Sequence, residues 1–203
     1  VGFYQNVLLP RLVHRSMTNR ELLPYRHSVL SAAEGRVLEI GIGSGLNLPL
    51  YPAAVHDVIG LDPSPRLLAM ARHTARHCTC AANLIEASAE EIPLDSHSID
   101  IVVTTWTLCS IHGAGQALGE MRRVLKPGGQ LLFVEHGLSP EASVQRWQDR
   151  LTPFWKRIGG GCHLNRPIRT LIESAGFKIG HLQTGYAKGP RPMVFMYEGR
   201  AVP

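Results

Sequence analysis

VLEIGIGSGLNLPLYP, residues 37–52, joins an apolar run to one acid and three glycines within its first nine positions. The run reads as a buried strand. Gly41, Gly43 and Gly45 form a tight turn at its C-terminal end, where missing side chains let the backbone reverse and a ligand come close. Such a turn can cradle a phosphate, hold another cofactor or simply reverse the chain. It lacks the Lys-Ser/Thr pair of a phosphate-binding P-loop. Glu39, placed before the first glycine, is electrostatically awkward beside a pyrophosphate but suits a cationic amino-acid moiety. The next strand, HDVIGLD (56–62), ends in Asp62, whose carboxylate can accept two hydrogen bonds from a ribose diol.

Working outward, the periodicity predicts an alternating chain. SPRLLAMARHTARHC (64–78) is a helix capped by Ser64 with Pro65 in its first turn. NLIEASAEEIPL (83–94) is a strand running into a loop, and SIDIVVTTW (98–106) is a β-branched strand. HGAGQALGEMRRVLKPGG (112–129) is a helix stopped by Pro127 and two glycines, and QLLFVEH (130–136) is a strand. The order β–turn–α–β–α–β–β–α–β predicts a mostly parallel sheet with helices on both faces. Before it, residues 3–16 and 19–33 read as helical pieces, each interrupted by proline. After it come a Trp-rich helical segment (139–162), the helix NRPIRTLIESAGF and the strands IGHLQTGY and PMVFMYEG. We expect one domain over 1–203: a helical lid (1–35), a cofactor-binding core (36–138), substrate-side helices (139–175) and terminal strands (176–203).

Composition narrows the function classes. At 203 residues, with 44% apolar and 18% charged residues, the chain supports one globular core. The formal charge of +5 is spread in short pairs such as Arg122–Arg123, with no basic block or aromatic ladder, so no nucleic-acid partner is expected. Cysteines 78, 80, 109 and 162 do not form the framework of a small secreted protein, and a reducing cytoplasm is the expected location. The start of the chain does not read as a signal peptide, and no run of 18 apolar residues predicts a membrane span. The basic-apolar mix of the first helices (Phe3, Tyr4, Leu8, Leu9, Leu12, Tyr25) suits a lid packed over the cofactor, and it also suits peripheral membrane contact.

Taken together, five segments resemble the class I S-adenosylmethionine-dependent methyltransferases. These are VLEIGIGSG, Asp62 in GLDPS, Ala89–Glu90 in EASAEEIPL, IDIVVTTWTLCSI and VLKPGGQLLFVEH, in order over residues 36–136. The resemblance implies a Rossmann-like seven-stranded sheet, order 3-2-1-4-5-7-6, with the last strand antiparallel. It also implies the cofactor S-adenosyl-L-methionine, converted to S-adenosyl-L-homocysteine. The methionine part would lie over Glu39, Gly41 and Gly43, the ribose at Asp62, the adenine near Pro63, Ser64, Ala89 and Glu90. Thr105 and Leu108 would lie on the methionyl side.

A second region, from Trp147 to Phe177, resembles the methyltransferase-like proteins of the small-thiol methyltransferase type, which are related to quinone and phospholipid methyltransferases. Trp147, Pro153, Trp155, Gly161, Cys162, Asn165 and Arg166 carry it, with TLCSI (107–111) and VEH (134–136). The resemblance implies a small or lipophilic acceptor: first a thiol or sulfide, second a phospholipid amine, third a quinone-like carbon or oxygen. Trp106, Cys109, Trp147, Trp155, Cys162 and Arg166 are the expected pocket residues, and Phe154 offers further apolar surface. His136 and Glu135, at the end of the fifth strand, are the candidate catalytic pair, with His136 able to collect a proton. Cys109 and His112 are further polar candidates. His73, His77, Cys78 and Cys80 crowd one region but lack a paired-thiolate motif, and no metal is expected. Two rival readings remain open here: a nicotinamide-dependent oxidoreductase, and a protein that binds S-adenosylmethionine without turnover.

Overall fold

The computed structural model describes every residue except Val1, Phe3 and Thr79, and the side chains of Gln5 and Asn6 also lie outside the description. Phe3, expected in the lid, is therefore outside the described residues. Seven strands form one sheet: β1 (Gly35–Ile40), β2 (Val55–Asp62), β3 (Ala81–Glu86), β4 (Ile99–Thr105), β5 (Leu125–His136), β6 (Lys178–Tyr186) and β7 (Phe195–Val202). Their order is β3-β2-β1-β4-β5-β7-β6, as expected. β1 to β5 pair in parallel, and β7 runs antiparallel between β5 and β6.

Side chains alternate across the sheet, so consecutive residues of one strand feed two cores. Leu38, Ile40, Val102, Leu131 and Phe133 pack on one face with α4 (Ala114–Val124) and α6 (Ile168–Ser174). Val37, Val58, Val103, Leu132 and Val134 pack on the other with α2 (Leu23–Leu30) and α3 (Pro65–Ala75). β1 and β4 lie side by side at the centre, and the chain winds away from them in opposite directions. The crevice beyond their C-terminal ends is therefore the place where such sheets take ligands.

Three local expectations need correction. The helix expected between β1 and β2 is a single 3-10 turn, Leu48–Leu50. Pro49 sits in the first turn, where no donor is required, but Pro52 holds Tyr51 in extended backbone (ψ 134°) and so ends the turn after Leu50. Likewise α4 stops at Val124, and the Lys126–Gly129 stretch belongs to β5 as a bulge between the pairs Ile99–Leu125 and Ile101–Gln130. Pro127 disfavours helical backbone at Lys126, so the helix ends before the proline. Finally, the N-terminal prolines do not interrupt their helices. Pro10 and Pro24 sit in the first turns of α1 (Leu9–Met17) and α2, where no intrahelical donor is required. A π-helical turn, Tyr4–Leu8, leads into α1.

Helix α5 (Ala142–Ile158) is fastened through Gln148, a wholly buried polar side chain. Its Oε1 accepts from the Ser139 amide at 3.0 Å, and its Nε2 reaches the Gly137, Leu164 and Pro192 carbonyls at 2.9–3.2 Å. Replacing one such side chain strands several buried backbone groups at once. Gln148→Leu is expected to lower unfolding free energy by about 3 kcal/mol. Urea denaturation followed by circular dichroism measures it, and a loss within experimental error would show that the network is dispensable.

Candidate active site

The crevice has two chemically different halves. On the first, β1 directs Glu39 to the same face as Val37, toward α2. Glu39 is buried, accepting from Asn47 Nδ2 at 2.8 Å and Tyr51 Oη at 2.8 Å. Asn47 Nδ2 also meets Thr105 Oγ1 at 3.1 Å, and Arg26 Nη1 donates to Asn47 Oδ1 at 2.5 Å. Arg26 is itself buried and lies over the Trp106 ring, 4.9 Å from its centroid. Burial pushes the Glu39 carboxyl up to about 7, opposed by Tyr51, Arg26 and Asn47. Burial also lowers Arg26, opposed by Glu39.

The three glycines do different work. At Gly41 (φ +67°) a Cβ would stand 2.4 Å from Thr107, so the turn packs against the loop after β4. Gly45 lies against Ala71 of α3. At Gly43 (φ +56°) the nearest atom to an added Cβ is the Gly41 oxygen at 3.9 Å, which leaves open space above the turn. The Gly43 amide donates to Asp62 Oδ2 at 3.0 Å, and the Ser64 amide to Asp62 Oδ1 at 2.8 Å. Each oxygen thus keeps an unused lone pair on a buried carboxylate. Burial raises the Asp62 pKa, against the pull of these two amides.

Ser64 caps α3, accepting from the Leu67 amide at 3.4 Å, and Pro63 beside it is exposed. Ala89 is buried. The Glu90 carboxylate is committed to the start of α4, accepting from the Gly113 amide at 2.7 Å, so only its backbone borders the crevice alongside Ala89. His14 of α1 meets Ser44 of the glycine turn at 2.7 Å, which closes the N-terminal helices over this half.

The second half is soft and thiol-rich. Cys109, His136 and Cys162 are contributed by the loop after β4, the end of β5 and the loop after α5, and their donor atoms all lie within 4.8 Å of one another. His136 Nε2 is 2.9 Å from Cys162 Sγ, while His136 Nδ1 is buried without a partner. A tetrahedral zinc ion would hold a histidine nitrogen and a cysteine sulfur about 3.6 Å apart. The present spacing is that of a hydrogen bond. The Cys162 thiol and His136 beside it hold Cys109 well below the usual thiol range. Burial alone would lower His136, but the charge on Cys109 raises it. Arg166 donates to the Leu108 and Ile111 carbonyls at 2.5 Å and places its positive charge next to these sulfurs. Trp155 stands beside Cys162.

Three expected residues are placed differently. Trp147 points away from the crevice and is 55% exposed, as is Phe154 at 69%, because the inward face of α5 is taken by Val144, Gln148 and Thr152. Glu135 is wholly buried beneath the loop after β4. Its Oε1 accepts from Thr104 Oγ1 and from the Thr107 and Leu108 amides at 2.8–3.1 Å, and Oε2 has no partner. Burial, with the neighbouring Cys109 charge, pushes its carboxyl to about 8. A neutral carboxyl in that position holds the loop rather than accepting a proton from a substrate. Sequence reading missed Arg26, Asn47 and Tyr51. Asn47 and Tyr51 lie in the opening stretch as extra polar groups, whereas no spacing marks Arg26, which reaches the crevice only through the docking of α2.

The methyltransferase domain pattern matches residues 38–133. The chain is 35% identical over 177 residues to thiol S-methyltransferase TMT1B of Homo sapiens, covering 84% of this chain and 72% of that protein. It is 38% identical over 154 residues to the Rattus norvegicus protein of that name, covering 74% of this chain and 63% of that protein. This chain therefore spans about two thirds of the length of such relatives. Among solved structures, an S-adenosylmethionine-dependent methyltransferase of Methanosarcina mazei shares the fold with a TM-score of 0.69 at 21% identity, covering 88% of this chain and 96% of that one. Fold order and sequence kinship agree: the chain belongs to the class I S-adenosylmethionine-dependent methyltransferases, in the thiol S-methyltransferase group.

Proposed function

We propose that this protein transfers the methyl group of S-adenosylmethionine to a small or lipophilic thiol. The observation that carries the acceptor class is the buried Cys109–His136–Cys162 set next to Arg166. A dry, soft pocket beside a fixed guanidinium favours a sulfur anion and disfavours a cationic amine. The names of the relatives above support the same reading.

The crevice fits the donor. The open space over Gly43 admits a backbone-close ligand, and buried acids stand on either side. When bound, S-adenosylmethionine supplies a methyl group on a cationic sulfonium, an activated leaving group that needs positioning more than it needs an acid. Asp62 would hold the ribose hydroxyls through its free lone pairs. Glu39 and Asn47 would face the amino-acid end, where Arg26 would pair with its carboxylate. Gly41, Gly45, Thr105 and Leu108 would shape the methionyl side, and Pro63, Ser64 and the Ala89–Glu90 backbone would border the adenine. At the other end, His136 Nδ1 takes the proton of the acceptor thiol. In the neutral tautomer with its proton on Nε2, 2.9 Å from Cys162 Sγ, the ring keeps a lone pair on Nδ1. Trp106, Trp155 and Arg166 fill out the walls, and Glu135 positions the Thr107–Leu108 backbone between the two halves.

Three measurements test these roles. Asp62→Ala should weaken S-adenosylmethionine binding at least tenfold in calorimetry, and unchanged affinity would sink the ribose assignment. With labelled cofactor offered thiols, phospholipid amines and quinones, label should appear in the thiols. His136→Asn should cut kcat/KM for a thiol about 100-fold or more at neutral pH and leave cofactor affinity intact. Labelled amine or quinone with unlabelled thiol would overturn the acceptor, and no product at all would favour a binding protein.

A fourth test concerns Glu135. Its folded-state carboxyl titrates near 8 against an ordinary 4.5, so the folded protein keeps a proton that the unfolded chain loses between those values. Stability therefore falls as pH rises through that window, by up to about 1.4 kcal/mol per pH unit. Glu135→Gln should match the parent at pH 5 and melt higher than it at pH 8.5. A variant that melts lower at pH 8.5 would show that the carboxyl is ionised in the fold.

A further inference from the structure

The outward face of α5 is an unexplained feature. Trp147, Leu151, Phe154 and Ile158 recur at intervals of four, three and four residues, a stripe about 60° wide on a helix. All four are exposed, at 55%, 37%, 69% and 56%. A surface helix ordinarily turns such a stripe inward, but here the inward face is already held by Val144, Gln148 and Thr152. The helix therefore carries two faces, one for the protein and one for something else.

The N-terminal helix extends the same surface. Tyr4 Oη donates to the Ile158 carbonyl at 2.6 Å, and the loop after α5 packs against Leu9, whose Cδ2 lies 3.3 Å from a Cβ built on Gly160. Leu8 and Leu12 on that segment are exposed at 42% and 47%.

Charge indicates the occupant. Arg146, Arg150 and Arg157 are exposed along one side of the α5 stripe, and Arg11 and Arg15 are exposed on α1. Among the described residues, none of these five arginines is in an ion pair. The single acid of α5, Asp149, lies on the other side of the helix and accepts from Asn165 at 2.8 Å. No acid occurs in Tyr4–Met17. Among the described residues no helix is long and apolar enough to cross a membrane. An apolar ridge flanked by unpaired arginines suits the boundary between acyl chains and anionic headgroups, with the helix lying in the plane of the surface.

We propose that α5, joined by the exposed leucines of the N-terminal helix, docks the protein on an anionic lipid bilayer. Trp147, Phe154 and Ile158 insert, and the arginines meet headgroup phosphates and carboxylates. This inference stands apart from the identity of the methyl acceptor.

Co-sedimentation with vesicles of phosphatidylcholine, with and without phosphatidylserine, tests it. The protein should bind the anionic vesicles and bind the neutral ones at least tenfold more weakly. Phe154→Asp with Ile158→Asp should abolish binding to both while cofactor affinity and melting temperature stay unchanged. Replacing Arg146, Arg150 and Arg157 by glutamine should weaken anionic binding about fivefold per residue, equivalent to about 1 kcal/mol each, and flatten its salt dependence. Failure of the parent protein to bind anionic vesicles would overturn the proposal, as would full binding by the double variant. A dimer in analytical ultracentrifugation that the double variant converts to monomer, without vesicle binding by the parent, would assign the face to a second copy instead.

Discussion

A carboxylate held in a dry crevice organises one half of the candidate site. Glu39 sits at the end of the central strand β1, out of reach of water, and such a group persists only when its surroundings supply the hydrogen bonds that water would have made. Asn47 and Tyr51 come from the turn that follows, and Arg26 comes from the N-terminal helices through Asn47. The one acid thus ties together strand, glycine turn and N-terminal helices. Those helices are placed by polar satisfaction as well as by apolar packing.

A second buried carboxyl performs the corresponding task on the other half. Glu135 gathers the Thr104 hydroxyl and two backbone amides of the following loop, which fixes Leu108 and Cys109 beside the end of β5. The two acids lie on opposite faces of the sheet, as their strand parities require: Glu39 shares a face with Val37, and Glu135 with Phe133. Between them the crevice changes character within a few residues. One side offers acids and amides suited to a polar, zwitterionic ligand, and the other offers sulfurs, a histidine and a guanidinium suited to a soft nucleophile. That division matches a reaction in which the donor is already activated and the protein's task is to hold two unlike molecules in line.

Helix α5 shows how one element can serve two surfaces. Gln148 locks its inner side to three carbonyls and an amide, and Trp155 reaches the thiol cluster from the same helix. A helix held this firmly can leave an apolar stripe in solvent without collapsing onto it.

The residues alone determined the architecture and marked the candidate cofactor half. Strand periodicity, the three glycines and the acid at the end of β2 depend on local backbone geometry and on spacing within consecutive elements, so Glu39, Gly43 and Asp62 were legible in one dimension. Proline chemistry was legible too, but its direction was not: Pro10, Pro24 and Pro49 sit in first turns, whereas Pro52 ends one, because the effect depends on where the first turn falls. What only the tertiary structure decided were matters of facing and docking. Arg26 enters the crevice because α2 packs over β5 and β7. Glu135 turns beneath its loop, while its neighbour His136 meets the thiols. Trp147 and Trp155, eight residues apart on one helix, face solvent and site respectively. At 100° per residue that separation is more than a fifth of a turn. Which of them faces inward is settled by Gln148, whose partners lie in three other parts of the chain.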